Sequence, residues 1–345
     1  MRRVLMVVVL GLAGLVAVAA PATADPAGPT HYRATITSID ALDGGAPGVD
    51  VEILGGDAFV VVRAEPGTVV EVPGYDGEPY LRIDADGAVH VNQLSPARWL
   101  NDERYGAASM EAPPQADAEA PPQWTLAARG GEYAWHDHRV HFMSPALPPQ
   151  VDPDAVTEQP IWDWSVPMHV DGREITVNGE LVWVPGPRPV VPVGLIVVAT
   201  LLALAVVLQW PAAAPLLVIA ASIATGAVSV VKLLDVPAGG DAEPALLVLP
   251  AVAIGLLVVG VGLGRREASR GRLIAGAAGI PLLVWGILQS GALTRPIVPG
   301  PLPVEAVRGL VTMAFAVGIA SVTAGVLAAV TATSVDEATP APVRD

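Results

Sequence analysis

The chain has 345 residues, 52% of them apolar, a formal charge of −15 and no cysteine. The missing thiols exclude disulfides, thiolate zinc sites, blue-copper centres and cysteine nucleophiles. The acidic excess is concentrated before Val190, where it works against partnership of that part of the chain with nucleic acid or anionic headgroups.

Met1–Ala24 has the layout of a secretory signal. Arg2 and Arg3 form a basic start, Val4–Ala20 an apolar run, and Ala22-Thr23-Ala24 a small-x-small cleavage site before Asp25. From there to Val190 the chain is polar and acidic, with nine arginines against 26 acidic residues, about −17. All six histidines lie in this part.

Short runs with alternating or β-branched residues predict strands over His31–Asp40, Val49–Leu54, Phe59–Arg63, Thr68–Val72, Tyr80–Ile83 and Val89–Val91. Gly55-Gly56-Asp57, Pro73–Gly77 and Asp86-Gly87 supply the turns between them. Asn101–Gln123 reads as an exposed, proline-containing loop. Strand signal resumes over Glu132–Met143, a second Pro-rich connection follows, and Ile161–Val170 with Glu174–Val184 form a hairpin across Asp171-Gly172-Arg173. This pattern predicts an all-β sandwich of Ig or cupredoxin type over 25–184, built as one unit or as two small subdomains.

Pro185–Pro189 is a stiff tether. Five apolar runs follow, about Val190–Gln209, Pro215–Val231, Ala245–Leu263, Leu273–Gln289 and Val307–Val330, each near the length a bilayer requires. They predict a five-helix transmembrane domain over 190–333 with a short tail, 334–345. The connection Gly264–Arg272 carries Arg265, Arg266, Arg270 and Arg272, which predicts that it is cytoplasmic. Counting in both directions then puts the β domain outside the cell membrane and the C-terminus inside. No ionisable group lies in the interior of the five runs; Lys232 falls just past the second, and Glu305 and Arg308 border the fifth. This argues against an ion-coupled pump and for an anchor or a partner-binding bundle. Pro281 is expected to kink the fourth span. Gly260-x-x-x-Gly264 has the spacing of a helix-packing motif, in a run so glycine-rich that chance readily supplies it.

One stretch carries candidate chemistry. In Trp135-His136-Asp137-His138-Arg139-Val140-His141-Phe142-Met143, half of the histidines fall within six residues. On a strand His136 and His138 share a face, and a turn after His138 is needed to bring His141 to them. With Met143 they form a ligand set suited to copper or zinc, which Met168-His169 could extend. Asp137 could orient a ligating imidazole. The alternative reading has Tyr133 and Trp135 in the core, Asp137 and Arg139 paired on an exposed face, and the histidines bonding loop carbonyls.

Three resemblances bear on this stretch. Gly131, Tyr133, Trp135, His136 and His138 are similar to the Gly-x-Tyr-x-Trp-His-x-His segment of multicopper oxidases. No second His-x-His pair is present and the cupredoxin cysteine ligand is missing. Trp162-x-Trp164 with Asp171-Gly172-Arg173 and Gly179-Glu180-Leu181 resembles the closing hairpin of CopC-type copper-resistance sandwiches. These imply copper as the cofactor. The layout resembles a group of actinobacterial membrane proteins whose secreted domain bears Gly74–Arg82, Leu94–Ala97 and Trp135–His141, a resemblance that implies architecture and no activity. No nucleophile elbow, zinc-protease helix or phosphate loop is present, so no enzyme class is indicated. The expected function is a membrane-anchored extracytoplasmic binding protein, handling copper through His136, His138, His141 and Met143. The alternative is a structural or assembly component of the envelope that binds a protein or glycan.

Overall fold

A computed structural model describes residues 26–41, 48–102, 112–144, 146–240 and 243–338. The expected signal segment lies outside these residues. The chain forms a ten-stranded antiparallel β-sandwich followed by five helical segments long and apolar enough to cross a membrane.

The strands are β1 Tyr32–Ala41, β2 Val49–Leu54, β3 Phe59–Ala64, β4 Val70–Pro73, β5 Pro79–Ile83, β6 Ala88–Asn92, β7 Trp124–Arg129, β8 Glu132–Trp135, β9 Gln159–Val170 and β10 Arg173–Trp183. A single-turn helix, α1 Pro96–Leu100, follows β6. Seven strands form one sheet in the order β1-β10-β9-β4-β5-β6-β7, and three form the other, β2-β3-β8. They belong to one compact unit, so the sandwich is not divided into subdomains.

Between the sheets, Val60 and Val62 meet Val70, Leu81, Ile83, Val89, Trp164, Val166, Met168, Ile175, Val177 and Leu181. These are the inward positions of each period-two alternation. β3 departs from that period. Phe59, Val60, Val61 and Val62 are all buried, because the second face of the small sheet is also covered. Phe59, Val61, Ala58 and Ala134 form a separate cluster there. Residues 236–240 and 297–299 belong to the same compact unit as the strands, and a Cβ on Gly240 would lie 3.5 Å from the Phe59 ring. The Ala134 N–H donates to the Ala238 carbonyl at 2.8 Å, and Thr30 and Ile297 exchange backbone bonds at 2.9 and 3.2 Å.

Turn chemistry fixes the register. Asp171 (φ 50°) and Gly172 (φ 76°) close the β9–β10 hairpin as the two left-handed residues of a tight turn. The Asp171 carboxylate also accepts the Val69 N–H at 2.9 Å, which tacks β4 to this turn. β5 starts at Pro79, one residue before the expected strand, and lies between β4 and β6. The edges of the large sheet are β1 and β7. Two elements were not expected: α1, too short to carry a period, and β7.

The helical unit contains α2 Val190–Gln209, α3 Ala213–Leu234, α4 Ala245–Gly264, α5 Ala268–Ala277, α6 Gly279–Leu288 and α7 Val304–Ala338. The helices α5 and α6 together make the fourth apolar segment. They part at Ala278, three residues before Pro281, whose ring and missing N–H disturb the preceding turn. A proline not singled out in the sequence, Pro250, sits in the second turn of α4. α7, 35 residues long, packs against α2, α3, α5 and α6. It extends through 338, so the first part of the expected tail is helical.

Glycines set the close approaches. A Cβ on Gly260 would collide with the Ala275 backbone, and one on Gly271 would collide with Gly264. The Gly260-x-x-x-Gly264 spacing therefore marks the α4–α5 contact. Gly276 and Gly325 bring α5 and α7 together in the same way, a Cβ on either coming within 2.6–2.7 Å of the other's Cα. Three charged positions differ from expectation. Lys232 lies inside the last turn of α3, because its ammonium finds Gln289 Oε1 at 2.6 Å and the helix continues past the apolar run. Arg270 and Arg272 lie on α5 rather than in a loop.

Candidate functional site

β8 is held to β3 by the pairs Val60–Trp135 through Arg63–Glu132, and the ladder stops at Trp135. The strand expected through Met143 therefore ends eight residues early. His136 follows the last paired residue, and the chain then turns, with the Val140 N–H donating to the Asp137 carbonyl at 2.9 Å. Strand alternation does not govern His136 and His138. The turn does what the sequence required for His141 to approach them.

Asp137 is the centre of this turn. Its carboxylate, fully buried, accepts the Trp135 indole N–H at 3.0 Å. It also accepts the Arg139 backbone N–H at 3.0 Å and the Arg139 guanidinium at 2.8 and 2.7 Å. The carboxylate is buried and the guanidinium half-buried, so the pair is not spread across an exposed face. Burial pushes the carboxyl pKa up, but the bonds and charge of Arg139 and the Trp135 N–H outweigh it and hold it below the usual carboxylate range. Arg139 in turn lies over the Tyr75 ring at 5.1 Å, and its carbonyl accepts the Trp162 indole at 3.0 Å. The Asp137 carboxylate is thus engaged by an indole and a guanidinium.

Three sequence segments far apart in the chain meet here. The Tyr75 hydroxyl accepts the His138 backbone N–H at 2.9 Å and donates to Asn101 Oδ1. Burial raises the Tyr75 pKa well above the usual value, with the Asp137 charge adding to it, so the hydroxyl stays protonated as a donor. Glu78, buried, accepts the Ser95 hydroxyl, the Ala97 N–H at 3.3 Å and the Asp76 N–H at 3.0 Å. Tyr80 meets Trp135 edge-on at 6.3 Å. The segments Gly74–Arg82, Leu94–Ala97 and Trp135–His141 form one connected network. Sequence reasoning named these segments but not Tyr75, Glu78 or Asn101 as its linking groups. No local pattern marks a contact between residues 63 positions apart.

The imidazoles come together around His141. Its ring meets His138 edge-to-face at 5.1 Å and His136 at 5.9 Å. His136 and His141 are fully buried. His136 Nδ1 bonds the Ala58 carbonyl, and its ring stacks on Phe59 at 4.5 Å. His138 stacks on Tyr75 at 5.9 Å. Met143 lies two residues beyond His141 and is half-buried. Among the described residues no group of three or more His, Asp or Glu side chains is placed to share one metal ion. The Met168-His169 pair does not extend the set. Met168 points into the core, and His169, of opposite parity, stands between Glu71 and Glu174 by register.

No family model, no curated protein and no solved structure matches the chain.

Proposed function

We propose that this is a membrane-anchored, non-catalytic module of the cell envelope. Its extracytoplasmic β domain binds a protein or glycan partner, and the Trp135–His141 segment locks the sandwich. The observation that carries this reading is the Asp137 network. It engages Trp135, Arg139, Tyr75 and Trp162 in internal bonds, and His136 is held by Ala58 and Phe59. A site built for exchange of ligands keeps polar groups turned outward; here they face inward.

The orientation has two supports. Arg265, Arg266, Arg270 and Arg272 cluster at the α4–α5 junction, which favours the cytoplasmic side. By helix order, the connections between the second and third apolar segments and between the fourth and fifth fall on the side opposite that junction. A cleaved signal over Met1–Ala24 fits the same topology. The surface offered to a partner is the outer face of the large sheet, where Ser38, Asp40, Ser165 and Asn178 form an exposed hydrogen-bonded row near Asp163 and Glu180. Photo-crosslinking residues at Asp163, Glu180 and Leu126 of the full chain in native membranes test this. A discrete adduct from one face is expected, and its absence at all three positions contradicts the reading.

Copper binding is the second reading, favoured by the His136 and His138 rings lying 5.9 and 5.1 Å from His141 and by the resemblance to copper sandwiches. Titration of the full chain with Cu(I), Cu(II) and Zn(II), with His138→Ala as the control that spares the Ala58 bond, separates the two. One-to-one binding that His138→Ala abolishes, and that weakens as pH falls through about 6.5, favours copper. No binding by the folded chain removes it.

A further inference from the structure

The helical unit has a half-open pocket of about 460 Å³ between its helices, at the end that carries the α4–α5 junction. Its volume falls within the roughly 300–1,000 Å³ of ordinary ligand sites. Val207, Val218, Leu257, Val261 and Leu327 make its walls, and Gly276 and Gly325 keep α5 and α7 close beside it. Arg272 is the one ionisable residue among those lining it.

Arg272 is exposed, one turn into the fourth apolar segment. Its neighbour Arg270 is paired with Glu267, whereas the Arg272 guanidinium has no ion pair or hydrogen bond among the described residues. A guanidinium inside an apolar segment is costly unless it meets an anion, and its planar fork suits phosphate oxygens. The walls call for hydrocarbon, and the rim calls for negative charge. A soluble anion satisfies only the rim, and a neutral lipid only the walls. Basic pockets between membrane helices on the arginine-rich side take anionic headgroups, and Arg265 and Arg266 add to that field.

We infer that this cavity is a binding site for an anionic glycerophospholipid, its acyl chain between α2, α3, α4 and α7 and its phosphate on Arg272. The site is distinct from the histidine network and does not depend on the function proposed for it.

The test is native mass spectrometry of the full-length protein in phosphatidylcholine nanodiscs, titrated with phosphatidylglycerol. The wild type should retain phosphatidylglycerol over phosphatidylcholine by about five-fold or more, the effect of one well-placed cation. Arg272→Ala should remove that preference, Arg272→Lys should keep part of it, and Arg265→Ala should leave it near wild type. Ala328→Phe, which fills the apolar wall and leaves Arg272 intact, should lower retention of both lipids. Thermal unfolding in detergent checks that each variant is folded. Equal retention of the two lipids by the wild type overturns the site, as does a folded Arg272→Ala that behaves like Arg265→Ala. Glycerol phosphate competing as well as whole lipid overturns it too, since the acyl chain would then contribute nothing.

Discussion

Asp137 sits where three kinds of group converge on one carboxylate: an indole, a guanidinium and a backbone amide. Removing the charge leaves Arg139, 23% exposed, without its counter-ion. Breaking such a buried pair costs roughly 3–5 kcal/mol, so Asp137→Asn should lower stability at neutral pH by about that amount. The pH dependence has a definite sign. The folded carboxyl titrates below its unfolded value of about 3.9. Its contribution is therefore complete above that value and is lost as pH falls through the folded value. Acid unfolding of the wild type should steepen below about pH 4, and Asp137→Asn should lack that extra limb. Parallel acid limbs in the two proteins would contradict the assignment. Gly239 poses a different local demand. Its φ is 98°, and a Cβ there would strike the Ala134 carbonyl and approach the Tyr133 ring at 3.0 Å. Gly239→Ala should cost at least about 1–2 kcal/mol for the left-handed backbone alone. It should also speed amide exchange at Ala134, whose N–H is held by Ala238. Unchanged exchange at Ala134 would show that this connection is not seated on β8.

Among the elements, those written by turn chemistry and period two are legible in the sequence. Gly55-Gly56 and Asp171-Gly172 bracket β2–β3 and β9–β10, and the observed strands start and stop within two residues of expectation. β8 misleads because Tyr133, Trp135, Val140 and Phe142 keep an apolar rhythm after the ladder has run out of partner. β7 is missed because it is an edge strand with little burial, Thr125, Leu126 and Ala127 all being exposed, and it follows a proline-rich stretch. The burial of β3 on both faces depends on connections more than 170 residues away, which no window of sequence contains. In the bundle, the glycine spacings that chance could supply turn out to sit at contacts. Gly276→Val should separate α5 from α7, since even a Cβ meets Gly325 Cα at 2.6 Å and the Ser321 carbonyl at 2.9 Å. A fall of several degrees in the detergent melting temperature is expected, while Gly262→Val, with open space at its Cβ, should change little. Equal effects at the two positions would refute close packing at Gly276.

At the scale of the whole molecule, the sequence separates an acidic β domain from an apolar bundle, and the structure keeps that division with one amendment. Two connections of the bundle, 236–242 and 297–299, are built into the β unit. The β domain is therefore completed by segments that come after the second apolar helix and after the fourth, so an isolated 25–189 fragment would leave the outer side of Phe59 and Val61 without its cover. The candidate site shows the same limit of sequence reading. The Trp135–His141 segment is conspicuous by composition, yet its partners Tyr75, Asn101 and Trp162 are identified only by tertiary contact. The proposed function rests on the β domain facing outward while the arginine-rich junction faces the cytoplasm.

The absence of cysteine from the chain makes that directly measurable. Single cysteines at Asp163 on β9, at Pro301 between α6 and α7, and at Ala268 beside the arginines, all exposed positions, can be treated in intact cells with a membrane-impermeant maleimide. Labelling is expected at 163 and 301, and none at 268 until the membrane is permeabilised. Labelling at 268 in intact cells, with 163 and 301 protected, would contradict that orientation.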